Sequence, residues 1–388
     1  MKTGSVVGRV ILIIAVALLL ALPSAFIALI FLLQGMNVAI PFIIATYVVV
    51  LVLITFKTFG WMKHAAGKKR FYSVMVVIAI VALANTIPGI YKQTLDSVDN
   101  VEVDLHAYTP FVSGTSAVKL DVPATLKLED DLPVIDGATA LYPMYAAFAQ
   151  AVYPEKEYDL YSSEVMSNMT SIAYEKLIDG SVDIIFVAGP SAKQMEAAKQ
   201  AGKELKLTPI GKEAFVFFVN AKNPVKSLTL DEIKGIYSGE ITNWKEVGGR
   251  RKAIRAFQRP EDSGSQTALQ KLMGDVTIMD SPKENTIDLM GGIIDQVSAY
   301  TNYSNAIGFT FRYYSTEMIH NDKIRLLQVE GIEPIAETIQ SGEYPITAEL
   351  YAVTAGSDNP HLDEFIQWIL SDQGQKIIEK TGYVPISK

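Results

Sequence analysis

The sequence predicts an α/β domain preceded by an all-α membrane anchor of three transmembrane helices. Three apolar stretches stand at the start of the 388-residue chain, at about 10–33, 38–56 and 72–91. Charge is divided along the chain, because all 42 acidic residues lie at or after Asp96 while residues 1–95 are basic. Beyond residue 131, short apolar runs alternate with amphipathic stretches, a pattern typical of α/β architecture.

Each apolar stretch approaches the ~20 residues that a helix needs to cross a bilayer. A cleaved signal peptide is the alternative for the first stretch, but it accounts for one of the three. The segment 57–70 carries five lysines and arginines and no acid. The positive-inside rule therefore predicts a multi-pass protein of the cell membrane with a cytoplasmic N-terminus and an extracytoplasmic C-terminal domain.

Composition excludes several classes of function. The chain has no cysteine, which removes disulfides, zinc thiolates and a lipidated cysteine anchor. The acidic C-terminal part argues against nucleic acid as a partner. The four histidines are scattered, and no P-loop or GxSxG motif is present. We therefore expect no metal, no cofactor and no enzymatic activity.

A mixed polar connector at 92–130, with a possible strand at 101–108, is expected to join the anchor at 1–91 to the solute-binding domain at 131–388. The remaining chain supplies strand candidates at 132–137, 182–189, 214–220, 253–257, 306–311 and 349–354. Helix candidates lie at 143–152, 171–178, 192–201, 229–238, 265–273, 292–301 and 362–380. Strands and helices thus alternate along the chain.

Three segments, at 136–140, 168–171 and 259–266, combine a strand end, small or hydroxyl residues and a helix start. Helix N-termini present unpaired N–H groups and a partial positive charge, which suit an anion. Hydroxyl side chains add donors, and an arginine adds a bidentate contact. Taken singly, each segment is more typical of plain helix capping. Arg259, beside two acidic residues, is by itself more typical of a surface ion pair. Together they predict an anion site.

Several longer motifs resemble one family. They include DGATALYPMYAAF at 136–148, IYSGEITNW at 236–244 and RPEDSGSQTAL at 259–269, in collinear order. Residues 131–388 resemble the phosphate-binding subunit of bacterial phosphate ABC importers, within the type 2 periplasmic binding proteins. Three N-terminal membrane spans are not part of that family's usual architecture.

The resemblance implies a two-lobed type 2 periplasmic-binding-protein fold, with lobe I at about 131–215 and 348–388 and lobe II at about 216–347. The ligand would be phosphate or a similar oxyanion, bound in the cleft between the lobes. The implied ligand-binding residues are the same ones that the helix-start chemistry indicates: Ala138, Thr139, Thr170, Ser171, Arg259, Ser263, Gly264 and Ser265.

One position departs from the family pattern. The family has an aspartate, in a pattern like ASDAP, that accepts a hydrogen bond from protonated phosphate, whereas this sequence has Ala188 within FVAGP. Ala140 also replaces an aromatic residue, and Glu261 is the expected alternative acceptor. The resemblance implies a binding protein that supplies a membrane-embedded ABC permease. The alternative is an anion-sensing ectodomain that signals through its membrane helices to a partner.

Overall fold

The chain forms two compact units in the computed structural model, Met1–Asp96 and Ser97–Lys388. The structure describes residues 4–33, 37–95, 103–280, 300–319 and 321–386.

The first unit consists of three long helices, α1 (Gly4–Leu33), α2 (Ile40–Thr58) and α3 (Ala65–Gln93). All three are long and apolar enough to cross a membrane, which fits the predicted anchor. The helix α3 begins earlier than the apolar stretch predicted, so the basic residues 68–70 lie in its first turns and not in a loop. Lysine and arginine are good helix formers, so the helix extends through the basic residues that precede the apolar stretch. The orientation in the membrane stays a prediction.

These three helices pack on one another through small and aromatic residues. The Tyr47 hydroxyl of α2 donates to the carbonyl oxygen of Ala17 in α1 at 3.0 Å. A Cβ on Gly89 of α3 would lie 3.0 Å from Val38, so glycine lets the two segments approach. Phe56 packs edge-on against Phe71, with ring centroids 5.4 Å apart.

The second unit is an α/β structure. Its strands are β1 (Ile135–Gly137), β2 (Ile184–Val187), β3 (Lys206–Asn220), β4 (Ser227–Leu228), β5 (Arg255–Ala256), β6 (Ala306–Phe311), β7 (Ile324–Leu326), β8 (Gln328–Val329), β9 (Thr347–Thr354) and β10 (Val384–Pro385). Its helices are α4 (Tyr142–Val152), α5 (Met169–Asp179), α6 (Ala192–Gln200), α7 (Leu230–Ser238), α8 (Gly264–Met273), α9 (Ala336–Ser341), α10 (Leu362–Leu370) and α11 (Asp372–Thr381).

Strand β3 runs through both halves of this unit. Its first half pairs antiparallel with β9 and β10, and its second half pairs antiparallel with β6 and β7. The order of the sheet is β1-β2-β9-β3-β6-β5, and β4 and β8 form a separate pair. One hydrophobic cluster gathers around the first half of β3 and another around the second half. Two halves with separate hydrophobic clusters fit the predicted two lobes, whose boundaries stay a prediction.

The α/β alternation predicted from the sequence is confirmed, with differences at particular elements. The candidate helix at 362–380 is two helices, because the chain is extended at Ser371 with ψ 168°. The candidate strand at 101–108 is wrong for its described part, since residues 105–108 form a single 3₁₀ turn. Most of the candidate helix at 292–301 lies outside the described residues.

The described part of the connector packs on the domain. Leu128 is buried, and its N–H donates to the carbonyl oxygen of Val152 at 3.0 Å. The N–H of Thr125 donates to Gln373 Oε1 at 2.8 Å. Tyr108 shares a hydrogen bond with Tyr313, close to the end of β6. Residues 103–130 are therefore part of the folded domain.

Candidate functional site

The first predicted segment leaves strand β1 and enters helix α4 through a tight turn. A Cβ on Gly137 would lie 2.5 Å from the carbonyl oxygen of Phe186, so only glycine fits at the end of β1. The N–H of Ala138 then donates to that same oxygen at 2.9 Å. Residues 139–141 form a 3₁₀ turn that continues into α4. The turn brings Ala138 and Thr139 to the surface of a cavity.

A buried carboxylate connects this first segment to the second. Asp136 is fully buried, and its Oδ1 accepts from the N–H groups of Gly137 and Asn168, both at 2.8 Å. Its Oδ2 accepts from Asn168 Nδ2 at 2.8 Å and lies 3.6 Å from Lys176 Nζ. Buried charge is tolerated when it is paired and hydrogen-bonded in this way. Asp136 thus fixes the relative position of the two segments.

The start of helix α5 carries backbone strain. Met169 is the first residue of the helix and has φ 68°, a left-handed conformation that is uncommon for a residue other than glycine. Asn168 precedes it, and its side chain bonds Asp136 and does not cap α5. The N–H groups of the first turn are therefore not satisfied by an N-cap side chain and suit an anion. Thr170 and Ser171 lie in this turn.

The third segment is organised by neutral amides. Ser263 caps α8 by accepting from the N–H of Gln266 at 3.2 Å. Gln266 is buried, and its Oε1 accepts from the N–H of Arg259 at 2.9 Å. Its Nε2 donates to Gln258 Oε1 at 3.2 Å. As a capping acceptor, the Ser263 hydroxyl keeps its own proton to donate.

The second and third segments lie against each other. A Cβ on Gly264 would lie 3.4 Å from Thr170 Oγ1, an ordinary van der Waals distance, so the start of α8 lies close to the start of α5. Beside this contact, Asp262 accepts from Lys193 Nζ at 2.6 Å and from Ser191 Oγ at 3.2 Å, both at the start of α6. The hydrogen bond to Asp262 raises the pKa of the Lys193 amine.

All three segments border one cavity of about 300 Å³. We call the residues Ala138, Thr139, Thr170 and Ser171 the first wall, and residues 259–265 the second wall. Every residue that the sequence predicts as ligand-binding, including Glu261, borders this cavity. The structure therefore brings these predicted residues together, and their role in binding stays a prediction. The lining also includes residues that the sequence did not predict as ligand-binding: Ala140, Leu141, Met169, Ala188, Pro260, Asp262, Thr310, Phe311, Tyr314 and Leu350.

A buried ion pair lies where β3 passes from one half of the unit to the other. Glu213 is fully buried, and its Oε1 lies 3.3 Å from Arg312 Nε. Glu213 also accepts from the N–H groups of Ala214 and Tyr313, at 2.8 and 3.1 Å. Burial raises the pKa of the Glu213 carboxyl, and this effect outweighs the attraction of the Arg312 guanidinium.

Tyr383 supports the cavity from the C-terminal end of the chain. Its hydroxyl donates to the carbonyl oxygen of Ala140, and its ring stacks on Tyr313 with centroids 4.4 Å apart. Burial raises the pKa of the Tyr383 phenol well above its usual range, so the hydroxyl stays a donor at neutral pH. Within the described ranges, no group of three or more acidic or histidine side chains could hold a metal ion.

A two-lobed α/β arrangement with helix starts facing a cavity between its halves is typical of solute-binding proteins. Residues 129–373 match the PBP superfamily domain, and the chain belongs to that superfamily. The chain is 28% identical over 258 residues to the phosphate-binding protein PstS of Bacillus subtilis, covering 65% of this chain and 80% of the relative. It is 25% identical over 235 residues to PstS of Borreliella burgdorferi, covering 57% of this chain and 82% of that protein.

A solved structure with a related sequence is a putative phosphate ABC transporter substrate-binding protein with bound phosphate from Clostridium perfringens. It shares 26% identity and covers 65% of this chain and 98% of its own, with a TM-score of 0.47. The family resemblance that the sequence motifs indicate is therefore confirmed by the family match and the relatives.

Proposed function

We propose that this protein is a membrane-tethered solute-binding protein that captures phosphate or a similar oxyanion in the cavity between its two walls. The observation that carries the proposal is the convergence of two helix starts, α5 and α8, and of Arg259 on one cavity. The names of the relatives, which are phosphate-binding proteins, support the same ligand class.

The two walls offer an oxyanion donors from several directions. The first turns of α5 and α8 present N–H groups with the partial positive charge of a helix N-terminus. Thr139, Thr170 and Ser265 add hydroxyl groups, which donate to anionic oxygens. The Arg259 guanidinium supplies a charge and a bidentate contact. Together these groups replace the hydration shell of the ligand.

Closure over the ligand would occur by movement of the two proposed lobes about the crossing segments. Strand β3 crosses between the halves next to the buried Glu213, and the N–H of Phe215 donates to the carbonyl oxygen of Ile346 at 3.0 Å. Movement about a few residues at the ends of elements is the usual way in which two-lobed binding proteins close.

Glu261 is the proposed acceptor for a protonated oxyanion. It borders the cavity and is exposed, whereas Ala188 offers only a methyl group. An exposed carboxylate at the edge of the cavity accepts a hydrogen bond less selectively than a buried one, because water competes for it. We therefore expect modest discrimination between phosphate and sulfate.

The three membrane helices would keep the binding domain close to an ABC permease, with the domain outside the cell membrane as the positive-inside rule predicts. A tether raises the effective concentration of the domain near its partner. Cross-linking in intact cells, followed by mass spectrometry, would identify the partner, and recovery of a permease is the expected result.

A second candidate function is anion sensing through the membrane helices. It is favoured by one observation: the described part of the connector, residues 103–130, is folded onto the domain. Val103 packs against a cluster that contains Phe218 and Tyr314, while Tyr108 bonds Tyr313. Lobe movement would therefore act on the connector. Recovery of a signalling protein in place of a permease would support this candidate.

Binding itself is tested on the full-length protein in maltoside micelles by equilibrium dialysis against radiolabelled phosphate. Unlabelled phosphate and sulfate serve as competitors. Saturable binding at one site per chain, displaced by phosphate, is the expected result. If neither anion displaces the label, or if no label is retained, the oxyanion proposal is wrong.

A further inference from the structure

The cavity is larger than an inorganic tetrahedral anion requires. Its volume is about 300 Å³, whereas phosphate occupies roughly the space of three water molecules of about 30 Å³ each. Its volume places it at the lower end of the ~300–1,000 Å³ range of small-molecule sites. The two walls come near each other at Gly264, where a Cβ would lie 3.4 Å from Thr170 Oγ1.

The extra space is bordered by apolar side chains at strand ends. Ala188 follows β2, and Val187 pairs with Tyr351 in β9, so the antiparallel register places Ala188 beside Leu350. Phe311 ends β6 and borders the same cavity. Leu350 and Phe311 belong to the hydrophobic clusters of the two halves, and Ala188 packs against both clusters. We call Ala188, Phe311 and Leu350 the floor of the cavity.

A second apolar surface continues from the floor. Ala140 and Tyr314 border the cavity, and both contribute to one further hydrophobic cluster. Ala140 is held there by the hydrogen bond from Tyr383 to its carbonyl oxygen. Its methyl group is the smallest apolar side chain that could line this surface.

Donors and apolar groups are therefore largely segregated. Most donors lie on the helix starts of the two walls, and apolar carbon lies on the floor and at Ala140, while the hydroxyl-bearing Thr310 and Tyr314 also border the cavity. Of the two acidic residues that border the cavity, Asp262 is bonded to Lys193 and Glu261 is exposed. A ligand hydroxyl directed at the floor would lose its hydrogen bond to water without a replacement, which is unfavourable. An apolar substituent in the same place would gain by leaving water.

From this segregation we infer that the preferred ligand is a phosphoryl or phosphonyl anion with a small apolar substituent, and not inorganic phosphate. The anionic oxygens bind the two walls, and the substituent lies on the floor beside Ala188. The inference rests on the proposed function, because it places the anionic head in the same anion site.

The test is a calorimetric titration of the full-length protein in maltoside micelles with phosphate and with methyl-, ethyl- and propylphosphonate. Each methylene buried on the floor is expected to tighten binding by about fourfold until the space is filled. 2-Hydroxyethylphosphonate has nearly the shape of propylphosphonate but ends in a hydroxyl group, and it is expected to bind more weakly than propylphosphonate.

Two variants test whether the preference for an alkyl substituent arises at Ala188. Ala188→Asp places a carboxylate on the floor and is expected to reverse the preference, so that phosphate binds more tightly than propylphosphonate. Ala197→Asp changes an exposed alanine of α6 in the same way and is expected to leave the preference unchanged. If Ala188→Asp does not fold, the ligand series on the unchanged protein decides by itself.

The outcomes separate this inference from the proposed function. Rising affinity along the alkyl series supports both. Tight binding of phosphate with weak or length-independent binding of the phosphonates overturns the inference and leaves the oxyanion function in place. Absence of heat with every ligand, confirmed by dialysis, overturns both.

Discussion

The two walls of the cavity are held in place by different chemistry. The first wall depends on Asp136, a fully buried carboxylate that accepts three hydrogen bonds and lies near Lys176. The second wall depends on the neutral amides of Gln258 and Gln266 and on an ion pair between Asp262 and the exposed Lys193.

The two walls are therefore expected to differ in rigidity. Hydrogen bonds to a charged group contribute about 1.5–3 kcal/mol each, against about 0.5–1.5 kcal/mol for neutral ones. The first wall is therefore expected to be preorganised before the ligand arrives. The second wall is expected to adjust as the ligand binds, because its bonds cost less to rearrange.

The largest effect is expected at Asp136. The change Asp136→Ala leaves the buried N–H of Gly137 and the donors of Asn168 without their acceptor, and should lower the free energy of unfolding by about 3 kcal/mol or more. Chemical denaturation followed by tyrosine and tryptophan fluorescence measures the loss. Phosphate binding should also disappear.

The matched control is Asp179→Ala, which removes an exposed aspartate that accepts from the N–H of Ser181 at 2.8 Å. A loss below about 1 kcal/mol is expected there. Equal losses for Asp136→Ala and Asp179→Ala would contradict a structural role for the buried carboxylate.

The next effect is expected at Arg259 in the second wall. Removing its guanidinium with Arg259→Ala should weaken phosphate binding by about ten- to a hundredfold, because one charge-assisted contact is lost. Calorimetry measures the affinity, and Arg251→Ala, at an exposed arginine, is the control. Unchanged affinity in Arg259→Ala would remove this residue from the site.

A smaller effect is expected at Gln266. Gln266→Ala removes the acceptor of the Arg259 N–H and one neutral bond to Gln258, and should weaken phosphate binding by up to about tenfold. Gln200→Ala, at an exposed glutamine of α6, should change nothing. A loss of stability as large as that of Asp136→Ala would show that the two walls are equally rigid.

Glu213 of strand β3, which runs between the two halves of the domain, gives a prediction on the pH dependence of stability. The pKa of Glu213 is raised above its ordinary value of 4.5 by burial, so the folded protein holds this proton more tightly than the unfolded chain does. Stability from this group is present below about pH 4.5 and is lost as the pH rises through the raised pKa. Relative to Glu213→Gln, the unchanged protein should therefore lose stability as the pH increases. A gain would show that the Arg312 pair dominates.

The smallest effect is expected at Lys193. Its side chain is 71% exposed, and exposed ion pairs contribute about 0–1 kcal/mol. Lys193→Ala should weaken phosphate binding by less than about fivefold, and high salt should remove the difference. A salt-independent loss larger than that of Arg259→Ala would mean that the Asp262 contact controls closure.

The sequence allowed prediction of the features that depend on local pattern. Strand ends followed by hydroxyl residues and helix starts indicated the two walls, and all of their predicted members border one cavity. Features that depend on long-range packing could not be predicted. The hydrogen bonds of Asp136 to Asn168 span 32 positions, and the bond of Asp262 to Ser191 spans 71.

Two further features had no signal in the sequence. Met169 has a positive φ that local preference disfavours, and it directly follows Asn168, which is bonded to Asp136. The folded connector depends on partners such as Gln373, far along the chain, although its polar composition resembled that of a linker.

The most direct test of the central claim, that both walls bind one oxyanion, is a crystal structure of the full-length protein with bound ligand. The account predicts an anion between the starts of α5 and α8, with oxygens about 2.7–3.2 Å from donors of Thr170, Ser265 and Arg259. Density for the anion outside this cavity, or in contact with only one wall, would contradict it.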